Sequence, residues 1–303
     1  MTINDWGTER RQLTNAVSVL VGADNGLYPS GNSLVIEGSG EVVIIDPSVA
    51  VVAKGGAHLP IDAVINSHGH EDHVAGNGLF ADARVHIHHQ DLLAARSLDG
   101  LMAIYGFEGQ AKTDFEQVVL NDFSYVARPD AEPFGHGHRW ELGGIDVEAV
   151  HLPGHTRGHC GFRISDGVFF LSDIDLTGFG PYYGDAWSSL EQFEDSLRLV
   201  RDEEADFYVT FHHKGVIEGR AAFVELVDGF AAVIGRRHES MLSYLTEPRS
   251  LDELAQHRFV YRPHVEGSHI ETIERRTASL HIDRMLVRGE AAEIDRGRFQ
   301  RLA

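Results

Sequence analysis

Apolar residues in the first part of the chain fall into short runs of strand character: Val17–Val21, Ser33–Glu37 and Glu41–Ile45, with Gly and Asn between them. A strand sends successive side chains to opposite faces, so these segments predict an antiparallel meander. Ala63-Val64-Ile65-Asn66-Ser67 reads as a buried strand, and further strands are expected at Val85–His88, Ile145–Leu152, Gly161–Ser165, Val168–Leu171 and Phe207–Phe211. Elsewhere the period becomes helical. Phe193, Leu197 and Val200 share one face of a segment that runs to about Glu204. It opens at Ser188-Ser189-Leu190-Glu191, which has the spacing of a capping box from Ser188 to Glu191. A second stripe, with Phe223, Val227, Phe230 and Ile234, predicts a long helix from about Arg220 to Leu245. Shorter helices are expected at 72–80 and 90–97. Sheets with helices on their outer sides are the consistent reading.

The pattern breaks twice. Residues from about 100 to 135 carry scattered aromatics (Tyr105, Phe107, Phe115, Phe123, Tyr125) and read as an insertion. Such an insertion either covers a cleft and shapes a substrate pocket or packs as a surface excursion. Thr246–Ser250 then reads as a linker, followed by helices at 251–256 and 270–287 and a hairpin over 290–302 turning at Asp295-Arg296-Gly297.

Candidate chemistry is concentrated at His68-Gly69-His70-Glu71-Asp72-His73, directly after the buried strand. Loops at strand ends are where a rigid scaffold presents reactive groups. Three imidazoles and Asp72 in so short a span suit two metal ions held close together better than one. Imidazole and carboxylate are donors that zinc prefers, although Fe and Mn take similar sites.

The run His68-x-His70-x-Asp72-His73 resembles the first metal motif of the metallo-β-lactamase-fold hydrolases. Asp46 resembles that family's early aspartate, with Asp46-Pro47-Ser48 in place of the commoner Asp-Thr-Gly. Leu152-Pro153-Gly154-His155-Thr156-Arg157-Gly158-His159 is similar to the second motif, and Phe169-Phe170-Leu171-Ser172-Asp173 to the strand carrying a bridging aspartate. Tyr208-Val209-Thr210-Phe211-His212-His213 resembles the strand and loop that supply the last histidine. The resemblance implies an αββα four-layer sandwich over residues 1–246 and a winged-helix-like appendage over 247–303. It implies two divalent ions, most simply Zn²⁺: His68, His70 and His155 on one, Asp72, His73 and His212 on the other, and Asp173 between them. His212 is preferred to His213 because it follows the strand directly. A hydroxide held between the ions would be the nucleophile, oriented by Asp72. Tyr182 and Tyr183, just beyond Asp173, are candidates to stabilise an oxyanion or protonate a leaving group, with aromatic packing as the alternative.

Composition narrows the partners. The 303 residues carry a formal charge of −20, which repels polyanions and argues against nucleic acid. Residues 250–303 hold nine Arg against nine Asp and Glu, so the excess acidity lies before them. That balance suits an appendage used for packing or dimerisation rather than for DNA. No apolar stretch approaches the ~20 residues of a membrane span, Met1–Arg11 lacks a secretory signal's apolar core, and a single cysteine, Cys160, fits a cytoplasmic protein. The expected function is hydrolysis of a small-molecule ester, lactone or thioester. Alternatives are a phosphodiesterase or nuclease of the same fold, or a metal-binding regulator using its C-terminal module on DNA. His86, His88, His89, His136 and His138 are read as bystanders, and His159 as a hydrogen-bonding neighbour of the metal ligands.

Overall fold

The structure is a computed structural model that describes residues 6–267 and 269–302; the first residues of the polar stretch Met1–Arg11 lie outside them. Two sheets face each other. The first contains, in spatial order, β1 (Arg10–Gln12), β2 (Val17–Leu20), β3 (Ser33–Glu37), β4 (Val42–Ile45), β5 (Ala63–Asn66), β6 (Arg84–His88) and β7 (Glu132–Phe134). It is antiparallel from β1 to β4 and parallel from β4 to β7. The second runs from β8 (Arg139–Glu141) through β9 (Asp146–His151), β10 (Cys160–Ile164), β11 (Val168–Ser172) and β12 (Phe207–Thr210) to β13 (Val216–Glu218). In it only β11 and β12 are parallel.

Strand alternation explains the layers. Val17, Val19, Leu34, Ile36, Val43, Ile45 and Ile65 point inward and meet Val147, Ala149, Phe162, Phe170 and Val209 of the second sheet. Their neighbours Leu20, Val35, Ile44 and Val64 point outward and are covered by Val51 of the helix Val49–Lys54 and by Ala95. On the other side, Phe169, Leu171 and Tyr208 pack under Phe193 and Leu197 of the helix Leu190–Arg201 and under Phe223, Val227 and Phe230 of the helix Arg220–Tyr244. The central strands are thus buried on both faces, and the result is an αββα sandwich.

Several elements differ from expectation. The helix at Leu190 is capped one residue later, by Ser189, whose side chain accepts from the backbone of Gln192. Ser188 instead donates to the carbonyl of His155 at 2.8 Å. The segment expected as a helix over 72–80 is a single α-turn, Glu71–Val74, continued as a 3₁₀ turn, Ala75–Leu79. The insertion supplies the helices Leu98–Tyr105 and Gly109–Asn121 and ends in β7.

Part of the expected linker forms β14 (Arg249–Ser250), which pairs with β16 (Arg298–Arg301); β16 in turn pairs with β15 (Ala291–Asp295). The helices Leu251–His257 and Ile270–Arg288 complete this C-terminal unit, and the first is closed by a capping box between Ser250 and Glu253. The unit packs against the sandwich. Arg284 pairs with Glu194 at 2.7 Å and with Glu191 at 3.2 Å, and Arg276 donates to the carbonyl of Gly106 at 2.8 Å.

Candidate metal centre

Parallel pairing brings the carboxyl ends of β4, β5 and β6 to one edge of the first sheet, and those of β11 and β12 to one edge of the second. The end of β4 carries Asp46, that of β5 leads into His68–His73, and β11 and β12 lead into Asp173 and His212. The backbone turns sharply here: Asp46 and Ser172 have φ of 49° and 53°. Left-handed conformations at non-glycine residues are costly and tend to be retained where a site needs them.

Seven side chains converge in two overlapping groups: His68, His70, His155 and Asp173, and beside them Asp72, His73 and His212. The Nε2 atoms of His73 and His155 lie 2.9 and 3.1 Å from opposite oxygens of Asp173. His212 Nε2 is 2.9 Å from Asp72 Oδ2. His213 is not part of either group, and its carbonyl accepts from Asn25.

The outward ring nitrogens establish which way the inner ones are configured. His155 Nδ1 donates to the carbonyl of Tyr182 at 3.0 Å, and His212 Nδ1 to that of Gly26 at 2.9 Å. His70 Nε2 meets Asp185 at 3.0 Å and His73 Nδ1 meets Asp46 at 2.8 Å. Carbonyls and carboxylates only accept, so each outward nitrogen carries a proton, and in the neutral ring the inward nitrogen presents a lone pair. Consequently His70 Nδ1 and His155 Nε2 face each other lone pair to lone pair at 3.0 Å. The inward nitrogens of His73 and His212 likewise face carboxylate oxygens. Such contacts repel unless positive charge stands between them.

The carboxylates draw positive charge to this place. Burial opposes charge on His212, yet Asp72 and Asp173 outweigh it and push its pKa up to about 10. Burial also disfavours the Asp173 carboxylate, but His73 and His155 outweigh it and hold it well below the usual carboxylate range. Buried His68 Nε2 has no hydrogen-bond partner among the described residues, and Asp173 Oδ2 is 3.9 Å from it. Unsatisfied buried polar atoms are rare and need an explanation. Divalent metal supplies one, and this donor set fits it.

Two supporting residues, Asp185 and Asp91, were passed over by sequence reasoning. Asp185, through His70, has no motif that would mark it. Asp91 accepts from the backbone of Gly69 at 3.2 Å and of Gly158 at 2.8 Å, and from the hydroxyl of Thr156 at 2.6 Å, so it ties the first and second motifs together. Tyr105 of the insertion stacks on His70 with ring centres 5.0 Å apart and donates to Glu71. The insertion therefore reaches the centre. Burial, then the charge of Asp72, raises Glu71 to about 7. His159 stands behind Asp173, accepting from its backbone at 3.3 Å and donating to the carbonyl of Leu152 at 2.9 Å.

The two tyrosines part company. Tyr182 donates to Asp185 at 2.8 Å, beside His70. Tyr183 takes the packing alternative: it is 1% exposed, packed among the apolar residues of the second sheet's outer core, with its hydroxyl on His281 at 3.0 Å. Strand-loop geometry sends consecutive side chains apart, so only one of the pair can face the centre. His136 and His138 lie in the turn before β8, outside both convergent groups.

Sandwich and convergent histidines together describe a metallo-hydrolase architecture. Residues 28–213, more than half of the chain, match the model of the metallo-beta-lactamase superfamily, and the chain belongs to that superfamily. A hydroxyacylglutathione hydrolase from Stenotrophomonas maltophilia is 25% identical over 230 residues, 75% of either chain. Another, from Prochlorococcus marinus, is 29% identical over 133 residues, and this match spans 43% of the present chain but only 42% of that enzyme. Among solved structures, a metallo-beta-lactamase family protein from Thermus thermophilus superposes with a TM-score of 0.73 at 21% identity, covering 96% of this chain and all of that one. The fold is shared through the C-terminal unit. Among the described residues, no helix is long and apolar enough to cross a membrane.

Proposed function

We propose that the chain is a hydrolase with two divalent metal ions, most simply zinc, acting on a small-molecule thioester. His68, His70 and His155 would hold one ion, Asp72, His73 and His212 the other, with Asp173 shared. The observation that carries this reading is the set of inward lone pairs facing one another and the carboxylates of Asp72 and Asp173. When bound, the ions supply a water acidic enough to lose its proton near neutral pH and a Lewis acid for the substrate carbonyl.

The chain's own groups then have definite tasks. Asp72 reaches His212 with one oxygen and lies 3.8 Å from His73 Nε2 with the other, which supports a role in orienting the nucleophile. Burial and Asp185 push Tyr182 well above the ordinary phenol range. It therefore stays protonated and acts as a donor, suited to an oxyanion or a leaving group. Asp46, Asp185 and the carbonyls of Gly26 and Tyr182 keep the four rings they touch in the ligating tautomer.

A thioester is preferred to an ester or lactone because relatives matched over three quarters of their length are named hydroxyacylglutathione hydrolases. The −20 charge speaks against a nucleic-acid substrate. The test is turnover across thioester, ester, lactone and phosphodiester substrates, before and after metal removal. Thioester cleavage that is lost on chelation and restored by zinc is expected. Metal-independent activity, or activity on phosphodiesters alone, would overturn the proposal.

A further inference from the structure

Hydrolysis at the centre leaves open what the rest of the substrate looks like. A cavity of 520 Å³ lies between the loop after β11, the helix Arg220–Tyr244 and the loop before the helix Ile270–Arg288. Its volume is in the range of small-molecule sites, roughly 300–1,000 Å³. Its chemistry departs from that of the whole chain. Asp and Glu outnumber Lys and Arg by 46 to 26, yet Arg236, Arg237 and Arg262 line this cavity and no carboxylate does.

The three guanidiniums are not equivalent. Arg237 is buried and donates to the carbonyls of Pro181 at 2.5 Å and Phe179 at 2.6 Å, so it fastens the loop after β11 while adding its charge. Arg236 and Arg262 are exposed, and neither side chain has a hydrogen bond or ion pair among the described residues. Their donors are free, in contrast with Arg163, Arg201 and Arg284, each held by carboxylates.

One wall of the cavity belongs to the loop that also carries Asp173, Tyr182 and Asp185. Phe179 follows Asp173 on one loop, and its ring lies 5.7 Å from that of Tyr261. Tyr261 in turn packs against the same buried cluster as Tyr182 and Trp187. The wall is rigidly backed: Glu274, fully buried, accepts from the backbone of Phe259, Val260 and Tyr261 at 2.9, 3.1 and 2.7 Å.

We propose that this cavity is a second subsite, which takes an anionic oxyacid group, phosphate or carboxylate, on the carrier half of the substrate while the scissile carbonyl sits at the metal centre. The proposal rests on the hydrolase reading and specifies its substrate class. Guanidinium forks match the oxygens of both anions, and Phe179, Phe259 and Tyr261 offer faces to the apolar part of the same carrier. A strongly acidic chain repels anions at long range. Three arginines in one pocket are what would let such a chain hold one. The C-terminal unit then contributes Tyr261 and Arg262 to substrate recognition.

The test compares three thioesters of one acyl group: with coenzyme A, which carries phosphates, with glutathione, which carries carboxylates only, and with neutral N-acetylcysteamine. The ratio of kcat/KM for an anionic thioester to that for the neutral one is measured in the wild type and in Arg236→Gln/Arg262→Gln. Loss of two charge-assisted contacts should lower that ratio at least about tenfold, chiefly through KM. The anionic carrier that loses more identifies the oxyacid. A ratio unmoved within about twofold for both anionic carriers would overturn the subsite.

Calorimetric binding of free coenzyme A and free glutathione to both proteins needs no turnover. One of them should bind the wild type at least about tenfold more tightly than the variant, and equal affinities overturn the proposal. Arginine-dependent binding without cleavage of any thioester would leave the subsite standing while the hydrolase reading fails.

Discussion

Replacing Asp46 by Asn tests whether the second layer of contacts configures the metal ligands. Asp46 is completely buried and satisfies three donors: the backbone of Ser67 at 2.7 Å on Oδ1, and the hydroxyl of Ser67 at 2.5 Å and His73 Nδ1 at 2.8 Å on Oδ2. An amide has the same shape but only one accepting atom. If its oxygen stays on the Ser67 backbone, its NH₂ faces His73 Nδ1, and that ring must move its proton to Nε2, removing the inward lone pair. If its oxygen turns to His73, its NH₂ confronts the backbone N–H of Ser67. Either way one contact fails. The backbone is not the cause, because Asn accepts the left-handed conformation at this position (φ 49°) as readily as Asp. Loss of such an outer partner typically weakens metal binding about 10–100-fold, or about 1.4–2.8 kcal/mol. Competition titration of zinc against a chelator of known affinity reads this directly, with thermal unfolding of the metal-free protein as the folding control. Affinities for both ions within about twofold of wild type, in a folded variant, would refute the reasoning.

Three further outcomes are expected. His155→Ala should lose metal and turnover, whereas the double change of His136 and His138 to Ala should keep both near wild type by elemental analysis and activity; equal losses would mean that the ligand set is misassigned. Asp173→Asn keeps the shape of the shared carboxylate but halves its accepting capacity, and kcat should fall at least ~10²-fold, the scale of a misplaced catalytic group; a change of less than about threefold would remove Asp173 from the centre. Glu274→Gln takes a charge from a carboxylate that holds three backbone N–H groups, so urea unfolding should show a loss of about 1–3 kcal/mol, and an unchanged midpoint would contradict that anchoring role.

The convergent side chains were legible in the sequence because they are few in type and clustered, four of them within His68–His73. The strands beneath it were legible for a related reason: residues buried on both faces are apolar throughout, as in Val43-Ile44-Ile45 and Val168-Phe169-Phe170-Leu171. Short edge strands escaped. β1 and β13 are three residues long, with polar members that face solvent, so neither period could register. The cap at Ser189 was missed by one position because Ser188 and Ser189 both offer a hydroxyl, and only the tertiary partner at His155 decides between them. Asp185 and Asp91 were invisible as supports: their partners lie 115 residues away at His70 and 65 to 67 residues away at Thr156 and Gly158. Spacing along the chain holds no trace of such pairings. The choice between catalysis and packing stayed open for Tyr182 and Tyr183 because adjacency says nothing about which side of a loop a side chain takes.

The central claim is that two cations belong between the two groups of ligands. Its most direct test is the number of ions retained per chain, by inductively coupled plasma mass spectrometry, after loading the full-length protein with excess zinc and removing unbound metal. The account predicts two zinc ions per chain, falling to one or fewer in His73→Ala. One ion per chain in the loaded wild type, unaffected by removal of His73, would contradict it.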